Sequence, residues 1–347
     1  MRKYSKKEIT RAGQILLSSK LEDEIDEAYN KISAWRSNHL QPLMVMKRSL
    51  EKELEKSKIN YILVSQRLKR LTSIIYKLDL NPKMGLGGMQ DIGGYRVVLK
   101  DVKDLNRLKI ILENQKISHK LEKINNYVEK PKISGYRSIH YIYKYSSKVE
   151  KYNDLRVELQ IRTKLQHNWA TAVETVGIAT KTSLKSSQGD DEWLMFFRIV
   201  SSLFVIKENL PVLDEHKYLD ERELMVKCYE LSNKLKVIDT LKALRVSVNR
   251  LERNNFPQGY YLLNIDIEDK MVYISRFTKN QAATNMYLEI EKEIEQNVED
   301  TKRAVVLVSS DSLKLLKKAY PSYFLDTSEF LRALEKINEN CKSLELV

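Results

Sequence analysis

The stretch YVEKPKISGYRSIH at Tyr127–His140 concentrates cations and rings, and RVELQIRT at Arg156–Thr163 sets one acid among bases. Lys130, Lys132 and Arg137 suit phosphate oxygens, Tyr136 offers a flat face for stacking on a base, and His140 can donate or accept near neutral pH. Side chains alternate along an extended strand, so Arg156, Glu158, Gln160 and Arg162 fall on one face and Val157, Leu159 and Ile161 on the other. A solvated sheet face shows the same alternation, but it leaves the basic, aromatic loop just upstream without a reason. Two further segments join them. RLKRLTSIIYKL at Arg67–Leu78 brings Arg67, Lys69, Arg70 and Lys77 around a helix start, and MQDIGGYRVVLK at Met89–Lys100 places Asp91 ahead of a strand carrying Arg96. Two acids, Asp91 and Glu158, among so many cations is an arrangement that binds a magnesium–triphosphate complex, because magnesium takes carboxylate and phosphate oxygens. The chemistry indicated is phosphoryl transfer.

Holding these groups together takes a sheet and its supporting helices. The spacing of apolar residues predicts helices over Leu21–Arg36, Pro42–Lys56, Arg70–Leu80, Val102–Asn114 and Thr163–Val176. Strands are expected near Tyr61–Ser65, Ile92–Leu99, Lys120–Ile124, Arg137–Tyr145 and Arg156–Thr163. The fold class expected over residues 1–185 is therefore α+β, a mixed β-sheet flanked by helices. Gly93 and Gly94 read either as a phosphate cradle or as a bulge, and Trp35 with His39 reads as packing. The linker Lys181–Glu192, rich in serine, opens a helical connector over residues 186–255, with helices at Trp193–Lys207 and within Glu221–Arg253. Residues 256–347 read as a smaller α+β domain: a hairpin over Tyr260–Phe277, a charged helix to about Val298, a strand at Ala304–Ser309 and a helix from Ser310 or Asp311 to Ala319.

Composition narrows the class. A chain of 347 residues with 42% hydrophobic residues can bury two ordinary cores. Cys228 and Cys341 are too few for a disulfide scaffold or a four-cysteine zinc site, which fits a reducing cytoplasm. The start MRKYSKKEITRAG has no apolar signal core and no apolar run of membrane length follows, so the expectation is a cytoplasmic protein with no membrane partner. The net charge of +13 is unevenly placed: residues 1–180 hold 35 Lys and Arg against 20 Asp and Glu, leaving 25 against 27 for residues 181–347. A surplus confined to the first half suits a polyanionic partner larger than one nucleotide, although lysine-rich helices such as Glu51–Lys58 also serve as soluble faces.

The order R-x-K…S…K, then D-I-x-G-x-R, then K-x-x-G-Y-R-S-x-H, then V-E-x-Q-I-R-T closely resembles the RelA/SpoT synthetase domain through about Tyr61–Thr180. The resemblance implies transfer of pyrophosphate from ATP to a ribose 3′ hydroxyl, with Mg2+ as the metal. By position it makes Arg67, Lys69, Arg70, Ser73, Lys77 and Arg96 the ATP-binding set, Asp91 and Glu158 the catalytic and metal-binding carboxylates, and Lys132, Tyr136, His140, Gln160 and Arg162 the acceptor-binding set. Arg70 also reads as a plain surface cation and Gln160 as a strand neighbour's partner.

In the second half, AYPSYFLDTSEF at Ala319–Phe330 sets Tyr320 and Tyr323 three apart around Pro321, as core packing or as rings aimed at an aromatic-friendly pocket. A Y-x-x-Y behind such a synthetase looks like the CapRel group of fused toxin–antitoxin proteins. That resemblance implies tRNA as acceptor through its 3′-CCA end and an arrest of translation in anti-phage defence. It also implies a metal-free, zinc-finger-like C-terminal antitoxin domain whose Tyr320 and Tyr323 mask the ATP site until a phage capsid protein binds. The alternatives are a small alarmone synthetase making (p)ppGpp or (p)ppApp, and a non-enzymatic RNA-binding module. Alarmone hydrolysis is disfavoured, since the hydrolase uses a His-Asp dipeptide and none of the five histidines precedes an aspartate.

Overall fold

The computed structural model describes residues 4–115, 117–179, 184, 189–244, 259–266, 271–296, 303–310 and 327–347. Eight strands form one mixed sheet in the order β3-β4-β5-β2-β1-β8-β6-β7. They are β1 (Tyr61–Leu68), β2 (Gly93–Leu99), β3 (Lys120–Asn126), β4 (Ile139–Lys144), β5 (Arg156–Thr163), β6 (Gly259–Asp266), β7 (Met271–Phe277) and β8 (Arg303–Ser310). β2 and β5 run parallel, joined through helix α5 (Val102–Asn114) and the β3–β4 pair, and the other neighbours are antiparallel. The alternation expected of β5 is present: Val157, Leu159 and Ile161 enter the apolar layer under α5 and α3 (Leu40–Lys56), and Glu158 faces the other side of the sheet.

That other side is built by helices. α1 (Lys6–Ser18), α2 (Glu22–Ser37) and α4 (Leu71–Asp79) close one core around Ile9, Ile32, Leu71 and Ile74. α6 (Lys164–Ala179), α7 (Asp191–Ile206), α8 (Glu221–Lys234), α9 (Val237–Leu244) and α11 (Ser328–Ser343) close another around Trp169, Phe197, Leu224 and Phe330. α10 (Asn280–Gln296) covers β6 and β8 through Leu262, Ala283, Tyr287 and Leu307.

Several expectations shift. β1 runs on to Leu68, so Arg67 lies within the strand, and the expected helix over Arg70–Leu80 begins at Leu71. The strand expected from Arg137 starts at Ile139, because residues up to Ser138 belong to a loop. Of the one long helix or two expected over Glu221–Arg253, the described residues show two, α8 and α9, parted where Lys236 takes a φ of 48°. Register continues unbroken through Gly93 and Gly94, so the pair makes no bulge. Helices α1 and α11 are additions to the sequence reading.

The boundaries expected at 185/186 and 255/256, the hairpin's turn and the helix expected up to Ala319 lie outside the described residues, as do Tyr320 and Tyr323. Elements on either side of those boundaries nevertheless share one sheet and one apolar core. Among the described residues no helix is long and apolar enough to cross a membrane.

Candidate active site

Strands β1, β2, β5 and β4 lie side by side, and their register sets two rows across the polar face. One runs Ser65–Arg96–Gln160–His140 and the next Arg67–Gly94–Glu158. Above these rows is a cavity of about 260 Å³ lined by Arg67, Lys69, Asp91, Arg96, Lys132, Tyr136, His140, Glu158, Gln160 and Arg162, all expected from the sequence, together with Ser65, Gln66, Gly94 and Tyr95. Five Lys and Arg side chains thus face two carboxylates, a balance that favours a polyanionic ligand.

One wall is ionic. Asp91 accepts from Lys69 Nζ at 3.1 Å and from Lys77 Nζ at 2.9 Å. Burial alone would raise the Asp91 carboxyl, but the two ammonium groups more than offset it and hold it at about 2. Burial lowers the Lys69 ammonium, which Asp91 partly restores. Arg96 is drawn down to about 10 by burial and by Arg162 and Arg67, and is still a cation at neutral pH. Lys77, Arg70 and Ser73 lie outside the cavity lining. Lys77 acts through Asp91, while Arg70 occupies the N-cap position of α4 and Ser73 its first turn.

The other wall is a closed ring of hydrogen bonds. Arg162 Nη2 donates to the Tyr136 hydroxyl at 2.5 Å and to Gln160 Oε1 at 3.0 Å. Tyr136 meets His140 Nε2 at 2.9 Å, and His140 Nδ1 meets Glu158 Oε1 at 2.8 Å. Gln160 Nε2 donates to Glu158 Oε2 at 2.7 Å, which closes the ring. Both routes run from the Arg162 guanidinium to the Glu158 carboxylate. Burial would lower the His140 imidazole, but Tyr136 and Glu158 raise it. Burial would likewise raise Glu158, but the His140 contact lowers it.

Three sequence expectations are corrected here. The Tyr136 face, expected to be open for stacking, is 6% exposed: Lys132 Nζ and the Arg162 guanidinium carbon lie 5.3 and 5.0 Å from its ring centroid, with Trp169 and Tyr127 at its edges. Arg137 points away from the cavity and donates to the carbonyls of Val128 at 3.0 Å and Pro211 at 2.6 Å, since it follows Tyr136 and takes the opposite side. Arg156 spends its guanidinium on Glu122 and the Gly88 carbonyl at the sheet's end. Ser65 and Gln66 were missed because the strand was expected to stop at Ser65; the continued alternation through Arg67 was the signal.

Residues 66–188 match the family described as the region found in RelA / SpoT proteins. A probable chloroplastic GTP diphosphokinase, RSH3, from Arabidopsis thaliana is 31% identical over 156 residues, which cover 44% of this chain and 18% of that protein. The GTP pyrophosphokinase YwaC of Bacillus subtilis is 27% identical over 112 residues, covering 30% of this chain and 52% of the relative. The chain therefore spans about half or less of the length of these curated relatives. The small alarmone synthetase 1 of Bacillus subtilis, solved with its product pppGpp, aligns with a TM-score of 0.43 at 24% identity over 50% of this chain and 90% of the other. Residues 66–188, the stretch that matches the family described as the region found in RelA / SpoT proteins, carry every cavity-lining side chain named above except Ser65.

Proposed function

We propose that the cleft is a pyrophosphokinase site that transfers the β,γ-pyrophosphate of ATP to a ribose 3′ hydroxyl. The observation that carries this reading is the meeting, in one cavity, of the Lys69–Asp91–Lys77 cluster with the Glu158-centred ring. Arg67, Lys69 and Arg96 hold the donor phosphates. The acceptor's 3′ oxygen bonds to the β-phosphorus while the bond from that phosphorus to the α–β bridging oxygen breaks. AMP departs with the electron pair, and the hydroxyl proton passes to Glu158. Both Glu158 oxygens already accept one hydrogen bond and keep a further lone pair each. Asp91 and Glu158 fit magnesium, which characteristically takes one or two protein carboxylates and completes its shell with phosphates and water. Among the described residues no group of three or more His, Cys, Asp or Glu could cage a metal, which agrees with that mode. The ion would neutralise phosphate charge.

For the acceptor we favour the 3′-CCA end of tRNA, a modification that would block translation as anti-phage defence. The support is the excess of 35 basic over 20 acidic residues in residues 1–180, more than one nucleotide requires. Residues 256–347, likened to a metal-free zinc-finger-like antitoxin, mask the donor site through Tyr320 and Tyr323 until a phage capsid protein binds. That part rests on the sequence alone. A second reading, a small alarmone synthetase, is favoured by the names of the two relatives, both of which specify GTP.

The test is to incubate the full chain with ATP labelled at the γ-phosphate and offer GTP, GDP, ATP or bulk tRNA. The full chain is required because α7 and α11 bury Trp169 and Phe197. Label on tRNA is expected, and it should increase in Tyr320→Ala/Tyr323→Ala. Label only on a free nucleotide would replace tRNA by the alarmone reading, and no transfer to any acceptor by a folded chain would remove the pyrophosphokinase reading.

A further inference from the structure

We propose that Glu291, on α10 and far outside the RelA/SpoT region, is a positioning residue for the donor wall, with Arg36 and Tyr287 as its partners. The proposal rests on the reading that Lys69, Asp91 and Lys77 serve the donor phosphates.

The residues between β1 and α4 are gripped on both sides by the C-terminal half of the chain. Before them, Arg67 of β1 pairs with Val308 of β8. After them, the Leu71 N–H donates to Glu291 Oε1 at 3.0 Å. Arg70, in the N-cap position of α4, provides no side-chain cap, so Glu291 supplies the anionic acceptor that a helix N-terminus favours. Arg36 completes the hold: its Nη1 donates to Glu291 Oε2 at 2.7 Å, while Nη2 and Nε donate to the Lys69 carbonyl at 2.8 and 3.2 Å. The Tyr287 hydroxyl accepts from Arg36 at 2.7 Å and donates to Glu291.

The backbone atoms fixed here belong to Lys69 and to the first residue of α4, the helix that carries Lys77. These are the two lysines that hold Asp91. None of these bonds reaches the Tyr136–His140–Glu158 ring. The Arg36 and Glu291 side chains are 1% and 5% exposed, so each needs the other. The geometry points to a contact that sets donor affinity and leaves the acceptor side alone. It also opposes a purely masking role for α10, and the two ideas predict opposite signs: loosening a mask tightens ATP binding, whereas loosening a positioning contact weakens it.

The experiment is titration of the full chain with α,β-methylene-ATP, whose bridge cannot be cleaved, alongside hydrogen exchange at the Leu71 amide. Glu291→Gln should weaken analogue binding about tenfold, one charge-assisted hydrogen bond's worth, speed Leu71 exchange, and leave GTP or tRNA binding within about twofold. Tighter or unchanged analogue binding in a folded Glu291→Gln chain overturns the proposal, and so does an equal loss on the acceptor side. Should Glu291→Gln fail to fold, Tyr287→Phe keeps the Arg36–Glu291 pair and should weaken analogue binding about threefold; no change there overturns it. Lys69→Ala is the separate control: binding equal to the parent would refute the donor reading itself, independently of Glu291.

Discussion

The two walls of the cleft differ in what they are made of and in what holds them. The wall proposed for the acceptor is a closed ring drawn from residues 136–162, running from the Arg162 guanidinium to the Glu158 carboxylate, and its anchors on α7 are neutral: Ser201 Oγ to the Gly135 carbonyl at 2.6 Å and Trp169 Nε1 to the Phe197 carbonyl at 2.8 Å. The wall proposed for the donor is assembled from ions, Lys69, Lys77 and Asp91, and its backbone is held by a second, buried ion pair, Arg36–Glu291, whose carboxylate lies 220 residues along the chain from Leu71. Neutral contacts can be lost singly at modest cost, whereas a buried ion pair stands or falls as a unit. The donor wall is therefore the more cooperative of the two.

The contrast is sharpest in stability. Arg36→Met leaves Glu291 buried without its cation and should cost about 3–5 kcal/mol, whereas Ser201→Ala on the acceptor side should cost about 1 kcal/mol. Denaturant unfolding of both variants checks the ratio, and equal losses would erase the distinction. Next in size is Gly135→Ala. Gly135 has a φ of +86°, and a Cβ there would lie 2.9 Å from that of Ser201, so strain of about 1–3 kcal/mol should distort the acceptor loop. Acceptor binding should weaken while analogue binding to the donor wall stays near the parent's; titration with each ligand decides.

The smallest effect is a proton. His140 is raised in the folded chain, so its contribution to stability is fully present below the ordinary histidine value near 6.5 and is lost as pH rises through the raised one. In Glu158→Gln the lowering effect of burial should gain, and the His140 resonance in an NMR titration should move its midpoint downward. A midpoint that stays put would mean that Glu158 does not hold the proton there.

This contrast also explains what the sequence disclosed. The ring was legible as a grouping because its members lie in two short segments, and the period of two along β5 puts Glu158, Gln160 and Arg162 on one face. The Lys69–Asp91–Lys77 cluster was legible too, but its support was not: Arg36 and Glu291 are 255 residues apart on helices that read as ordinary amphipathic ones. The missed helices had signals. α1 opens with a Ser5–Glu8 capping box, and α11 buries Phe330, Leu331, Leu334, Ile337 and Cys341 at helical spacing. Arg137 and Tyr136 were misjudged in exposure because burial by α7 and its following loop is a tertiary event that residue type does not reveal.

The bond from the Leu71 amide to Glu291 spans 220 positions of the chain, and this has a consequence in time. A ribosome adding about 5–20 residues per second needs roughly ten to forty seconds to pass from one partner to the other. Throughout that interval Arg36 and the first amide of α4 await a carboxylate that has not yet been polymerised. The turn between β1 and α4, proposed above to face the donor phosphates, is thus among the last parts of the protein to be finished, and a half-made chain carries the lysines without the scaffold that aims them.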